Sequence, residues 1–143
     1  MNPAHLLHEN REVLERLVTR TARRHYLSQP EQRRFAAFVN EHVAADDFRL
    51  IRDFQNRSSF STYLGAVVHR LSFDFRVQIW EGWRPSPIAE RTGPAAVVLE
   101  RLISRDGHSL SEAVRIVRDQ HEVILTSAEL IRMWLAIRWS SRG

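Results

Sequence analysis

Residues 54–84 read FQNRSSFSTYLGAVVHRLSFDFRVQIWEGWR, and the architecture expected for the whole chain follows from their spacing. A polar stretch, Gln55 to Ser59, leads into a long run of helical period. Ser59 or Ser61 supplies the cap oxygen, because the first N–H groups of a helix have no intrahelical acceptor. Leu64, Val67, Val68, Leu71, Phe75 and Ile79 then recur at three- and four-residue steps and make one apolar face. His69, Phe73, Arg76 and Trp80 recur in the same way on a different face. Two readings stay open. A helix enclosed on most sides buries both stripes, and the pattern alone favours burial of Phe73 and Trp80 with Arg76 exposed. A helix packed on one side turns the second stripe to a partner. Aromatics interleaved with cations suit single-stranded nucleic acid, where stacking contributes about 1–3 kcal/mol per base and cations hold phosphates. Gly82, Pro85 and Pro87 end the run, since proline lacks the donor a helix needs.

Outward from this stretch, nearly every segment keeps helical period and none alternates with period two, so the chain reads as all-α. A first helix is expected from Ala4 to Arg24, with Leu7, Leu14, Leu17, Val18 and Thr21 on one stripe and Glu12 paired with Arg16 outside. A basic cluster, Arg20, Arg23, Arg24 and His25, follows. Ser28, Pro30 and Glu31 mark the start of a second helix running to about Ala45, with Phe35, Phe38, Val39, His42 and Val43 apolar-facing. His42 reads as an edge-of-core histidine. Asp46 or Asp47 caps a short third helix from Phe48 to Phe54.

Beyond the prolines, helices are expected over Pro94–Arg105, from Ser109 to about His121, and from Thr126 or Ser127 to the end. Ser109 with Glu112 forms a capping box, and Thr126 or Ser127 with Glu129 starts the last helix. The expected organisation is a compact helical bundle over residues 1–84, a Pro/Gly linker over 85–93, and a small, weakly helix-turn-helix-like subdomain over 94–143.

The chain has 143 residues, a formal net charge of +4 and 43% hydrophobic residues, which suits a folded domain rather than a disordered tail. All 21 cations are arginine; there is no lysine. Guanidinium groups hold their charge, fork onto phosphate and stack on rings, so the excess fits a nucleic-acid partner and equally a solvated surface. Cysteine is absent, which removes disulfides and thiolate metal sites. His5 and His8 lie one turn apart but lack a third ligand, and read as solvated rather than as a metal site. No phosphate-binding glycine loop, zinc-protease spacing or cysteine nucleophile is present, so an enzyme is not expected and no cofactor is implied. Only a convergence in space of His25, His108 and His121 would change that. No apolar run nears the roughly 18 residues of a membrane span, and the N-terminus lacks signal-peptide character, so a cytoplasmic protein is expected.

Phe54, the loop Gln55–Ser59, Phe60, Thr62, Tyr63-Leu64, Val67-Val68 and Asp74-Phe75-Arg76 resemble the second conserved region of bacterial RNA polymerase sigma factors, above all the extracytoplasmic-function type. The resemblance covers roughly residues 10–84. It implies two surfaces. One docks on core RNA polymerase, here Glu31, Gln32, Phe35, Phe38 and Val39 on the helix Pro30–Val43. The other recognises and melts promoter DNA, capturing the non-template single strand, here Asn56, Arg57, Ser58, Phe60, His69, Arg70, Phe73, Arg76, Trp80, Trp83 and Arg84. Arg70 stands where the family has asparagine, and Glu31-Gln32-Arg33-Arg34 is more basic than the family's docking helix. The alternative is a protein-interaction module whose basic, aromatic surface meets an anti-sigma or other acidic protein without touching DNA.

Overall fold

The computed structural model describes residues 2–141, and these form eight α-helices and no strand. The all-α class expected from the periodicity is the one observed. In order the helices are α1 Pro3–Glu9, α2 Arg11–Arg24, α3 Gln29–Arg52, α4 Phe60–Trp80, α5 Pro87–Thr92, α6 Pro94–Glu100, α7 Leu110–Gln120 and α8 Ser127–Ser141. A π-helical turn over Arg101–Arg105 continues α6. The chain divides into two compact units. One holds the N-terminal helices up to Arg23 together with Pro30–Ile79; the other holds Arg24–Gln29 and the chain from Trp80 onward.

In the first unit, the single helix expected from Ala4 to Arg24 is split at Asn10. The Asn10 amide donates to the Leu6 carbonyl at 2.9 Å and its backbone N–H to the Leu7 carbonyl at 3.1 Å. A side chain that bonds its own backbone in this way competes with the helical ladder. α2 buries Leu14, Val18 and Ala22, and α3 buries Phe35, Val39, Val43 and Ile51. The third helix expected from Phe48 is fused to α3 across a break at Ala45–Phe48. There Asp46, Asp47 and Phe48 adopt left-handed φ values of 53°, 56° and 58°. Each such residue costs about 1–2 kcal/mol. Arg52 holds the break, donating from Nε and Nη2 to the Asp47 and Asp46 carbonyls at 2.9 and 2.8 Å.

Ser59 caps α4. Its hydroxyl accepts the Thr62 N–H at 3.2 Å and its carbonyl accepts the Tyr63 N–H at 3.0 Å. The apolar face of α4 is buried along its length: Leu64, Val67, Val68, Leu71, Phe75 and Ile79 are at most 9% exposed. The Phe75 ring packs against Phe35 and Phe38, with centroids 5.2 and 5.4 Å away. Aromatic pairs at such distances add about 0.5–1.5 kcal/mol beyond the area they bury.

In the second unit, the proline-rich stretch expected as a linker carries α5. The Ser86 hydroxyl accepts the Ala89 N–H at 3.2 Å, and Pro87 occupies the first turn, where a missing donor is harmless. Buried Glu100 accepts both the Ser86 N–H and the Ser86 hydroxyl, at 2.7 and 2.6 Å. α6, α7 and α8 enclose Val98, Leu99, Leu102, Val114, Val117, Leu130 and Trp134. The expected capping box forms at Ser109–Glu112, and at the expected start of the last helix Thr126 and Glu129 bond each other reciprocally in the same way. Residues 24–29 join this unit through specific bonds. Tyr26 packs on its core. His121 Nδ1 donates to the Tyr26 carbonyl at 2.7 Å, and the Gln29 amide donates to Glu122 at 3.1 Å. A carbonyl only accepts, so Nδ1 carries the proton.

Leu130→Ala is expected to lower unfolding free energy by about 2–5 kcal/mol in denaturant titration, the usual cost of a fully buried leucine. Glu112 adds a pH signature. Hydrogen bonds from the Ser109 hydroxyl and backbone N–H, then His108, hold its carboxyl below the ordinary value of 4.5. The stabilisation is therefore complete above pH 4.5 and fades as pH falls through the depressed value in the folded protein. In thermal melts, the Tm gap between wild type and Glu112→Gln should shrink over that acid window and stay constant near neutrality.

Candidate nucleic-acid interface

The loop between α3 and α4 exposes Asn56, Arg57 and Ser58 to solvent. Asn56 takes a left-handed φ of 57°, which asparagine tolerates better than most residues. Behind the loop, Phe54, Phe60 and Tyr63 form an aromatic cluster. Phe54 lies 5.1 Å from each of the other two rings, and Phe60 lies 6.3 Å from Tyr63, nearly stacked. The Tyr63 hydroxyl donates to the Leu50 carbonyl at 2.5 Å. Burial, and then the Asp53 carboxylate, push the Tyr63 phenol above its usual value of 10.0, against the opposing pull of Arg70. The root of the loop is thus fixed on α3 and α4, while its tip carries an arginine and two small polar groups in water.

One helical turn after another, α4 then presents His69, Phe73 and Arg76. The Phe73 ring is 48% exposed. His69 meets it edge-on, at 4.9 Å and 83°, and the Arg76 guanidinium lies 4.7 Å from its centroid. Such a cation–ring contact contributes about 0.5–1 kcal/mol at an exposed site. Its geometry preorganises a flat ring beside two groups that bind anions when charged. Val77, also exposed, extends the apolar part of this face.

Arg70 lies elsewhere. It lines a groove of about 550 Å³ between the end of α3 and α4, together with His42, Arg49, Asp53, Tyr63 and Asp74. Asp46 also borders it. The exposed Arg49–Asp53 pair, at 3.8 Å, is of the kind that contributes little to stability. Sequence reasoning did not find this groove. Its signal was present in two acid–base pairs at i,i+4 spacing, Arg49 with Asp53 and Arg70 with Asp74, on helices that turn out to face one another.

Other expected site residues are placed differently. Trp80 is buried, at 8% exposure, with its ring edge-on to Trp83 at 5.9 Å. Glu81 and Gly82 both have positive φ and reverse the chain there, which folds half-buried Trp83 back onto Trp80. Trp80 and Trp83, with exposed Arg84, belong to the second unit, whereas Asn56 to Arg76 belong to the first. On α3, Phe35 and Val39 are fully buried in the core, so they offer nothing to a docking partner without unpacking it. Glu31, Gln32 and Phe38 are half-buried, and Arg33, Arg34, Asn40 and Glu41 are among the exposed side chains of that helix. Arg11 donates to the Asn40 side chain at 2.8 Å.

Comparison with protein-family models, curated proteins and solved structures finds no match. The reading of the site therefore rests on its own residues. His5 pairs with Glu9 at 2.9 Å rather than with His8. Among the described residues, no three His, Cys, Asp or Glu side chains converge as a metal site would require, and no helix is long and apolar enough to cross a membrane.

Because Trp80 is part of the core, Trp80→Ala should cost about 3–5 kcal/mol of stability. Chemical denaturation followed by circular dichroism checks this. A cost under 1 kcal/mol would return Trp80 to the surface.

Proposed function

We propose that this chain is a sigma-like transcription initiation module that binds core RNA polymerase and holds opened promoter DNA as a single strand. The observation that supports this most is the exposed Phe73 ring, flanked by His69 and covered by Arg76, on the helix that follows an arginine-bearing polar loop. Opening a base pair costs a few kcal/mol of lost stacking and pairing. A base laid against Phe73 recovers about 1–3 kcal/mol, and the cations beside it hold the flanking phosphates. Arg57 at the loop tip and Arg76 over the ring are the phosphate contacts in this reading. Arg70 is less suited, because Asp46, Asp53 and Asp74 share its groove and repel a phosphate. Phe60, half-buried in its aromatic cluster, supports the loop. Polymerase docking falls to the outer side of α3, with Arg33, Arg34, Asn40 and Glu41 beside Glu31, Gln32 and Phe38.

The test is anisotropy of a labelled single-stranded oligonucleotide carrying a non-template promoter sequence, titrated at several salt concentrations. The variant Phe73→Ala/Arg76→Ala should bind at least tenfold more weakly, because one stack and one phosphate contact are lost. Its salt slope should fall by about 0.7, the value for one phosphate on a single strand. Unchanged affinity and slope would rule out this face. Capture of core RNA polymerase by the tagged full chain, weakened by Arg33→Glu/Arg34→Glu, checks the docking surface.

A further inference from the structure

We infer that the outer face of α8 is a docking site for an amphipathic helix with acidic flanks. α8 uses one side for the core of the second unit, where Leu130, Trp134 and Ile137 are buried. Its opposite side is also apolar. Ile131, Leu135 and Trp139 are 37%, 55% and 79% exposed, and they recur every four residues with Ala128 one turn before Ile131. Burial cannot account for that second stripe, because it faces water. The spacing 128, 131, 135, 139 follows a single narrow seam along the helix, the pattern that meets a partner helix rather than the wide apolar face of a helix lying in a lipid surface.

The seam continues into a groove. Leu110, Val114 and Ile131 line a cleft of about 460 Å³ between α7 and α8, so an incoming helix finds both a ridge and a trough. Charge then selects the occupant. Arg115 and Arg118 border the cleft, Arg132 edges the seam beside Trp139, and Arg138 edges it on the other side. Asp119 is the one carboxylate lining the cleft. A second copy of this chain laid on the same seam would set arginines against arginines, an arrangement that like-charge repulsion disfavours. A helix with carboxylates on both sides of its apolar stripe meets these cations with opposite charge. This surface is separate from the loop and α4 face described above, and its occupancy does not depend on DNA binding.

The experiment uses the full chain and a fluorescein-labelled three-heptad helical peptide with leucine at the seam positions and glutamate on both flanks. A matched peptide carries lysine in place of glutamate. The glutamate peptide should bind with an affinity that falls as salt rises, and the lysine peptide at least tenfold more weakly. Leu135→Glu should abolish binding, and Arg115→Glu/Arg132→Glu should reverse the peptide preference, with circular dichroism confirming that each variant is folded. Phe73→Ala/Arg76→Ala should bind the glutamate peptide as wild type does, which separates this surface from the basic face of α4. Equal binding of both peptides, or binding that survives Leu135→Glu, would overturn the inference. So would a seam occupied instead by self-association in sedimentation or by anionic phosphatidylglycerol vesicles, either one being lost in Leu135→Glu.

Discussion

Burial of the α4 face that carries Leu64, Val68, Leu71 and Phe75 fixes what the rest of that helix can offer to water. A helix turns 100° per residue, so with these side chains buried and Phe75 packed on Phe35 and Phe38 of α3, His69 and Phe73 fall on a different face, and here that face is exposed. The lock is tight because Phe75 is held between Phe35 and Phe38 and because Ser59 sets where the helix begins. Moving the register by one residue would drive Asp74 into the core, an uncompensated buried charge. The exposed Phe73 ring thus takes its place from the buried face of its own helix, with His69 edge-on to it and Arg76 over it.

This explains why some of the molecule was legible in the sequence and some was not. The apolar face of α4, the Ser109–Glu112 capping box and the start of α8 at Thr126–Glu129 depend on residues within a few positions of one another, and each formed where its spacing predicted. The pattern of α4 favours burial of both Phe73 and Trp80; Trp80 is buried, with Trp83 brought onto it where Glu81 and Gly82 reverse the chain, whereas Phe73 is 48% exposed. No helical wheel contains that turn. The split at Asn10 carries a side-chain bond to the Leu6 carbonyl, a local feature that a stripe of leucines conceals. For Phe35 and Val39, periodicity placed them on an apolar stripe and the family resemblance placed them on a docking surface; burial agrees with the periodicity. Arg70 kept its helix and its i,i+4 neighbour Asp74, but Asp46 and Asp53 come to its groove from α3 and the residue after it, a pairing of segments that no local spacing gives.

The two units use arginine in different ways. Arg52 spends its guanidinium on backbone carbonyls at the left-handed break in α3, where it steadies an unfavourable conformation. Arg76 lies over a ring that solvent can reach. Arg115, Arg118 and Arg132 border an apolar cleft and seam. A single residue type therefore serves as a backbone clamp, a ring cover and a rim. The net charge of +4 sums over all three roles and separates none of them.

The bond between Tyr26 and His121 joins residues 95 positions apart. Closing a loop of that length costs about 4 kcal/mol in chain entropy, recovered only when the core around it is complete. A ribosome adding about 5–20 residues per second takes several seconds to go from one partner to the other. During that interval Tyr26 lacks both the core it packs on in the folded protein and the His121 that its carbonyl meets, so the segment between α2 and α3 reaches its final surroundings only after the last helices have been made.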